Sequence, residues 1–188
     1  HEAKISGVKK FIALGTICSY PKFSNVPFLE NDIWNGYPEE TNAPYGLAKK
    51  MLLVQSKAYR QQYGFSSIVV IPTNLYGPED NFDPSSSHVI PALIRKIFLA
   101  KKNNSDEIEV WGDGTQTRDF LFVEDAANGI INAAKFYDNE EPLNLGSSQE
   151  ISIKHIVEQI SEILDYEGSI KWNKEKPNGQ PRRCVSYE

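Results

Sequence analysis

The chain has 188 residues, of which 40% are hydrophobic and 24% charged, so it can bury the core of a medium-sized domain. Its net charge of -5 argues against a basic surface that follows the phosphates of a nucleic acid. The apolar runs are far shorter than the roughly 18 residues of a membrane span, and the start, HEAKISGVKK, lacks the apolar region of a signal peptide. We therefore expect a cytoplasmic protein that binds neither nucleic acid nor membrane.

The two cysteines are too few for a disulfide framework and do not have the spacing of metal ligands. We expect no metal site. Cys184, His1 and His155 are interpreted as packing or solvated residues.

Strands and helices alternate along the first half of the chain, a pattern typical of a parallel sheet covered by helices. Residues 8–14 form a predicted strand, and a polar loop then leads to a helix that begins near Pro44 and ends near Gln62, with Gly64 as its left-handed cap. The β-branched run 67–71 predicts a strand buried on both faces. The expected buried stripe of the helix consists of Leu47, Leu52, Val54, Ala58 and Tyr59.

The second half continues the alternation and ends in a polar tail. The predicted helices are 88–100, 124–136 and 152–164, and the predicted strands are 107–111, 120–123, 142–146 and 169–172. No G-x-G-x-x-G turn follows a strand, so the 188 residues encode no pyrophosphate cradle for a dinucleotide. The start resembles the end of a helix that leads directly into a strand, and we expect an earlier part of the sheet to be missing.

Tyr45 and Lys49 lie four residues apart at the start of the first long helix, and hence on one face of it. A cation beside a phenol stabilises the phenolate, which suits a tyrosine for general acid catalysis near neutral pH. By itself the pair is a weak signal, because an exposed tyrosine and a solvated lysine would have the same spacing.

Two further segments leave the carboxyl ends of predicted strands, where open α/β sheets bind their ligands. The first contains Thr16 and Cys18, and the second is the turn 72–78, PTNLYGP. The alternative for the second segment is a proline-bounded turn capped by Asn74.

Five motifs occur in an order that resembles the extended short-chain dehydrogenase/reductases, a family of NAD-dependent epimerases and dehydratases. They are the Thr16 strand end followed by YGLAK, PTNLYGP, DNFDPSSSHVIPALIRK, VWGDGTQTRDFLFVEDAA and PNGQPRR. The resemblance implies an α/β fold: the carboxyl-terminal part of a Rossmann-type parallel sheet with a smaller α/β substrate domain. Residues 1–78 and 124–147 would belong to the NAD(P)-binding domain, and 79–123 and 148–188 to the nucleotide-sugar domain.

Within this family the chain is most similar to the members that both epimerise and reduce a GDP-4-keto-6-deoxy sugar. The resemblance implies that Tyr45 is the proton donor, Lys49 its electrostatic partner and Thr16 the hydroxyl that orients the C4 oxygen. NADP would be the cofactor, with NAD as the alternative, and a homodimer is the habit of the family. The implied cofactor-binding residues are Leu14, Gly15, Thr16, Ile17, Tyr45, Lys49, Pro72, Thr73, Asn74, Leu75 and His88.

The resemblance assigns the nucleotide-sugar, with a GDP-sugar favoured, to Asn74, Lys96, Trp111, Arg118 and Arg183. Family members often carry Ser in place of Thr16, Arg in place of Lys96 and Lys in place of Arg183. A lysine binds a phosphate as a point charge without the bidentate fork of arginine, which weakens the expected Lys96 contact.

Members of this family that have different activities differ at the position of Cys18. Relatives that dehydrate or decarboxylate carry acidic residues near this position, whereas Ile17 and Cys18 stand here. A thiol resembles the dual epimerase/reductases, in which a cysteine and a histidine invert C3 and C5, and His88 is the matching histidine. The alternative for Cys18 is a packed core thiol.

The sequence thus predicts NADPH-dependent C3/C5 epimerisation and C4 reduction of a GDP-4-keto-6-deoxyhexose. A nucleotide-sugar 4-epimerase, a simple C4 reductase and a non-catalytic nucleotide-binding module remain as alternatives. The residues Thr16, Tyr45 and Lys49 argue against the last of these, because a binding module does not need an activated phenol.

Overall fold

The structure is a computed structural model that describes residues 1–176 and 178–187, so Pro177 of the PNGQPRR motif and Glu188 lie outside the described residues. Within the described ranges, the helices are α1 (Glu2–Ile5), α2 (Ala43–Tyr63), α3 (Val89–Lys102), α4 (Val123–Phe136) and α5 (Ile153–Ile163). The strands there are β1 (Lys10–Leu14), β2 (Ser66–Pro72), β3 (Asn74–Tyr76), β4 (Glu107–Trp111), β5 (Thr117–Phe122), β6 (Leu143–Leu145), β7 (Glu150–Ser152), β8 (Ser169–Asn173) and β9 (Arg182–Arg183).

The chain divides into two compact units. Unit 1 contains His1–Leu75, Asp119–Ser148 and the described residues from Cys184 onward, and unit 2 contains the described residues of Tyr76–Arg118 and Gln149–Arg183. The predicted alternation of helices and strands is confirmed. Three short strands, β3, β7 and β9, are not among the predicted strands, and each has only two or three residues.

Unit 1 is built on a parallel sheet with the strand order β1-β2-β6. Leu14 of β1 is in register with Val70 of β2, and Val70 is in register with Leu143 of β6. The middle strand, β2, is buried along residues 67–71, which confirms that its β-branched run marks a strand covered on both faces.

Alternate residues of β2 enter two separate apolar clusters. Val69 and Ile71 pack in the cluster that contains Leu53 of α2, whereas Ile68 and Val70 pack with Ala133 of α4. Successive side chains of a strand point to opposite faces, so α2 covers one face of the sheet and α4 the other. This is the predicted α/β architecture, with helices on both sides of a parallel sheet.

The predicted buried face of α2 is wrong. Leu47 and Val54 are 40% and 49% exposed, Ala58 is also exposed, and Leu52 and Tyr59 are only partly buried. Small side chains let α2 approach its neighbours closely, and Lys50 reaches the carbonyl oxygen of Gly36 (3.2 Å). The face that is buried consists of Ala43, Gly46, Lys50, Leu53 and Ser56.

Unit 2 contains two parallel pairs of strands, to which β5 contributes only Thr117 and Arg118. β4 pairs with β8, and β5 pairs with β9. Helix α3 buries Leu93, Ile97 and Ala100, and α5 buries Ile156 and Val157. No helix in the described part of the chain has the length and apolarity needed to cross a membrane.

The segment after Arg183 belongs to unit 1, although the sequence analysis treated it as polar tail. Val185 is fully buried. The backbone of this segment pairs with Phe28, whose N–H donates to Cys184 O (2.9 Å) and whose carbonyl accepts from Ser186 N (2.8 Å). The partners are more than 150 residues apart, so no local pattern predicts this pairing.

Candidate active site

A tight turn follows β1 and carries two of the predicted catalytic residues. The amide of Gly15 donates to Val70 O (2.8 Å), which continues the sheet bonding for one residue beyond β1. Thr16 then caps a 3₁₀ turn, Ile17–Ser19, because its Oγ1 accepts from the backbone N–H of Cys18 (3.3 Å). This bond occupies a lone pair of the hydroxyl and leaves its proton to donate to a ligand.

The start of α2 packs directly against this turn. A Cβ atom on Gly46 would lie 2.5 Å from Cys18 O, so only glycine permits this approach. The buried hydroxyl of Ser19 donates to Gly46 O (2.9 Å) and fastens the two segments. Tyr45, next to Gly46, is therefore held beside the turn that carries Thr16 and Cys18.

Tyr45 and Lys49 share one face of α2, as their spacing predicts. Lys49 Nζ lies 5.9 Å from the centroid of the Tyr45 ring and donates to Leu14 O (2.9 Å) at the end of β1. Tyr45 is 52% exposed, and Thr16 only 8%. The ammonium group is thus fixed between the phenol and the carboxyl end of β1, while the phenol remains accessible to a ligand.

The carboxyl end of β2 lies beside that of β1 in the same parallel sheet. Here the N–H of Thr73 donates to Leu145 O (2.9 Å), and the side-chain amide of Asn74 donates to Asp119 O (2.9 Å). Among the described residues nothing pairs with the buried Thr73 Oγ1. Unit 1 therefore brings together Thr16, Cys18, Tyr45 and Lys49 at the end of β1, with Thr73 and Asn74 at the end of β2.

Unit 2 carries His88 and the predicted nucleotide-sugar residues other than Asn74. Arg118 and Arg183 face each other in the register of β5 and β9. Burial and the neighbouring charge of Arg183 lower the pKa of the Arg118 guanidinium, whose Nη1 donates to Thr117 O (2.7 Å) and Gln180 O (2.8 Å). Two like charges at adjacent positions favour an anion as their ligand.

The other predicted residues of unit 2 are exposed. His88 is the cap residue before α3, and Lys96 donates to Glu109 O (2.7 Å). Trp111 is 60% exposed, with Lys176 Nζ 5.4 Å from the centroid of its ring. The pairing of His88 with Cys18 stays a prediction. In the ranges 1–176 and 178–187, no group of three or more His, Cys, Asp or Glu side chains is placed to hold a metal ion.

Asp119, which is not among the predicted site residues, is completely buried. The signal that could have found it is the period of two along β5, where Asp119 and Leu121 are the buried positions. A carboxylate on the inward face of a strand needs internal hydrogen-bond partners.

Comparison with known proteins shows the family of this chain. A family model described as "NAD dependent epimerase/dehydratase family" matches residues 1–146. The "Probable GDP-L-fucose synthase 1" of Oryza sativa subsp. japonica is 43% identical over 182 residues, which are 97% of this chain and 56% of the rice protein. The chain thus spans less than two thirds of the length of this relative.

Two solved structures extend the comparison. The crystal structure of a GDP-L-fucose synthetase from Naegleria fowleri bound to NADP has a TM-score of 0.91 and 33% identity, covering 98% of this chain and 59% of that one. The GDP-mannoheptose C4 reductase from Campylobacter jejuni with NADP bound has a TM-score of 0.87 and 26% identity, covering 99% of this chain and 64% of that one.

Proposed function

The chain belongs to the NAD dependent epimerase/dehydratase family, whose model matches residues 1–146, and from this premise we propose that the full-length protein is an NADPH-dependent epimerase/reductase. It would invert C3 and C5 of a GDP-4-keto-6-deoxyhexose and reduce C4, as the name GDP-L-fucose synthase suggests for the rice relative. Unit 1 would be the cofactor domain and unit 2 the nucleotide-sugar domain. A cytoplasmic location and a homodimer are further parts of this proposal.

A single observation carries the proposal: the end of β1, the Thr16 turn and the start of α2 form one closely packed site. The glycine at position 46 brings Tyr45 to the turn, and the bond from Lys49 to Leu14 O places a cation beside the phenol. A substrate carbonyl bound at this site would be polarised by the hydroxyls of Thr16 and Tyr45 and by the Lys49 ammonium.

The residues of unit 1 fit the nicotinamide end of NADP. Leu14 at the end of β1 and Leu75 in β3 leave partly exposed apolar surface, which suits a flat ring. The unpartnered, buried Thr73 hydroxyl offers a hydrogen bond to a polar ligand group, and Lys49 Nζ retains N–H donors for ribose hydroxyls. NADP is preferred to NAD because the Naegleria structure is bound to NADP.

Bound NADPH supplies the hydride that reaches C4. Tyr45 donates its proton to the C4 oxygen as this oxygen gains charge, and the Lys49 ammonium stabilises the phenolate that remains. Thr16 donates a second hydrogen bond to the same oxygen, because its lone pair is already engaged by Cys18 N. The end of β1 thus holds the polarised oxygen from two sides.

Inversion at C3 and C5 needs a base and an acid on opposite faces of the sugar. The Cys18 thiolate removes the proton α to the ketone, and the electron pair of the broken C–H bond forms an enolate whose oxygen is bound by Thr16 and Tyr45. The His88 imidazolium returns a proton to the other face. A thiol and an imidazole have ordinary pKa values of about 8.5 and 6.5, so they can exchange these roles near neutral pH.

The nucleotide part of the substrate would bind to unit 2. Arg118 and Arg183 carry the cationic pair for the diphosphate, with Lys96 as an additional point charge. The exposed face of Trp111 suits a stacked base. These groups accept several nucleotides, and the preference for guanine rests on the names of the relatives.

A simple C4 reductase is the second candidate, favoured by the likeness to the Campylobacter enzyme. Incubation of the full-length protein with GDP-4-keto-6-deoxymannose and NADPH in D₂O separates the candidates. The proposal expects NADPH oxidation together with deuterium at C3 and C5 of the product. Oxidation without deuterium would indicate a simple reductase, and binding without either would indicate a non-catalytic module. A 4-epimerase is tested with a GDP-sugar that carries a hydroxyl group at C4, because a 4-ketone has no configuration at C4 to invert; isomerisation of that sugar without net oxidation would indicate a 4-epimerase.

A further inference from the structure

Asp119 is a buried carboxylate that the proposed mechanism does not use. It is 0% exposed, and its Oδ1 accepts from both the backbone N–H (3.0 Å) and the hydroxyl (2.7 Å) of Ser147. Its Oδ2 accepts from the hydroxyl of Tyr187. All three donors are neutral, and hydrogen bonds to a charged acceptor are among the stronger ones in proteins.

The environment of Tyr187 supports its role as the donor. Burial, and then the hydrogen bond to Asp119, raise the pKa of the Tyr187 hydroxyl well above its ordinary value. The proton therefore stays on the phenol, which donates a hydrogen bond to Asp119 Oδ2. The bond thus holds the segment after Arg183 against β5.

Close packing around Gly146 holds the Asp119 carboxylate in its present position. A Cβ atom on Gly146 would collide with Asp119 Oδ2, and it would lie 3.0 Å from the Tyr187 ring and 3.1 Å from Thr73 Cγ2. Only a glycine at this position allows the carboxylate, the phenol and Thr73 to meet. Thr73 precedes Asn74 at the end of β2, so the cluster reaches the proposed cofactor site.

The backbone of Asp119 makes the functional connection. Its carbonyl oxygen accepts from the side-chain amide of Asn74 (2.9 Å). Because the NH₂ group of Asn74 is bonded to Asp119 O, the amide oxygen of Asn74 points away from Asp119 and can accept a hydrogen bond from a ligand. Three hydrogen bonds hold the carboxylate of Asp119 in place, and the backbone carbonyl of the same residue sets the orientation of the Asn74 amide.

We propose that Asp119 is a positioning residue, whose carboxylate, held by Ser147 and Tyr187, fixes the orientation of the Asn74 amide toward its ligands. Asp119 itself touches neither substrate nor cofactor. The inference rests on the proposed function, in which Asn74 contacts both the cofactor and the nucleotide-sugar. It adds a residue that acts only through Asn74.

A double-mutant cycle in the full-length protein tests this role. Asp119→Asn keeps the volume of the side chain and an acceptor for Ser147, but it removes the negative charge and the second acceptor. We expect KM for the nucleotide-sugar and Kd for NADPH to rise about tenfold, which corresponds to about 1.4 kcal/mol, with little change in kcat. Asn74→Ala should produce an increase of similar size.

The decisive result is the double variant, Asp119→Asn with Asn74→Ala. If Asp119 acts through Asn74, the double variant resembles Asn74→Ala alone, because the second change has nothing left to position. Independent effects would multiply to about 100-fold and would overturn the proposal. A fall in melting temperature without any change of KM or Kd would overturn it as well, because it would show a merely structural role.

Tyr187→Phe provides a second route to the same test, should Asp119→Asn not fold. This variant removes one donor to the carboxylate and should raise KM and Kd in the same direction by a smaller factor. Tyr137→Phe is the matched control, because the Tyr137 hydroxyl also donates a hydrogen bond, to Glu141 O (2.9 Å). Glu141 precedes the start of β6, whereas Ser147 follows its end. The control should leave both constants unchanged, and equal shifts in the two tyrosine variants would contradict the proposal.

The outcome for the wild-type protein separates this inference from the proposed function. If the wild type binds NADPH but does not convert the keto-sugar, the proposed reaction is wrong. The double-mutant cycle of Asp119 and Asn74 is then measured with the Kd for NADPH alone. If it binds neither compound, both proposals are overturned.

Discussion

The two units contain two kinds of candidate functional residue. In unit 1 the turn after β1 is built by close packing, with Thr16 almost buried and Gly46 against the backbone of Cys18. In unit 2, Lys96 and Trp111 are long or broad side chains on the surface, and Lys96 is bonded to a backbone carbonyl. Packing fixes the turn that would carry the chemistry. A side chain such as Lys96, which would recognise the nucleotide-sugar, must instead give up its present hydrogen bond in order to bind a ligand.

This difference predicts that changes at the turn after β1 and at the start of α2 lower kcat, and that changes at the cationic and aromatic residues of unit 2 raise KM. The largest effect is expected for Tyr45→Phe, which removes the proton donor but keeps the ring. C4 reduction should fall at least about 100-fold, the ordinary contribution of general acid catalysis. Binding of the nucleotide-sugar, measured by calorimetry, should be nearly unchanged. A variant that retained more than about a tenth of the turnover would exclude this role.

Cys18→Ser separates the two proposed steps of unit 1. A hydroxyl is a much poorer base than a thiolate, so exchange of the C3 and C5 protons with D₂O should slow by about 100-fold. Reduction should slow far less and yield a different 6-deoxyhexose from the unepimerised ketone. The wild-type product formed at the wild-type rate would remove Cys18 from the mechanism.

Gly46→Ala tests whether close packing itself matters for the rate. The added Cβ would have to displace the carbonyl of Cys18, and a shift of about 1 Å in a catalytic group can lower a rate by as much as about 100-fold. We expect kcat to fall between about 10- and 100-fold.

Gly64→Ala is the matched control at the other end of α2. Gly64 has a positive φ of 61°, but a Cβ there would meet nothing within 4 Å. Its replacement should lower the free energy of unfolding by about 1 kcal/mol without affecting kcat. Equal losses of kcat in the two variants would show that general destabilisation, rather than the turn, is responsible.

Arg118→Ala addresses the cationic pair in unit 2, in which both arginines are half-buried. Hydrogen bonds to a charged group contribute about 1.5 to 3 kcal/mol, so KM for the nucleotide-sugar should rise at least about tenfold while kcat changes little. Steady-state kinetics at two salt concentrations measure this. A loss confined to kcat would contradict the division of roles between the turn after β1 and the cationic residues of unit 2.

The smallest effect is expected for Lys96→Ala, because Lys96 is exposed and a solvated charge contributes about 0.2 to 1 kcal/mol. KM should rise by about two- to fivefold, and the rise should disappear at high salt. A rise as large as that of Arg118→Ala would mean that Lys96 is desolvated when the substrate binds.

The sequence by itself determined the elements whose signal is local. The β-branched run of β2 predicted a strand buried on both faces, Gly64 predicted the end of α2, and the spacing of Tyr45 and Lys49 predicted their common face. These features depend on residues within one or two turns of one another, so the backbone geometry that links them is the same in any fold.

Only the tertiary structure decided which face of α2 is buried, where the segment after Arg183 lies and how Asp119 is satisfied. Hydrophobicity favoured Leu47 and Val54, but close approach to the Thr16 turn requires the small residues on the neighbouring face. Val185 and the donors of Asp119 depend on pairings between residues far apart in the chain. Such pairings are set by the shape of the folded backbone, and no local pattern in the amino-acid sequence encodes them.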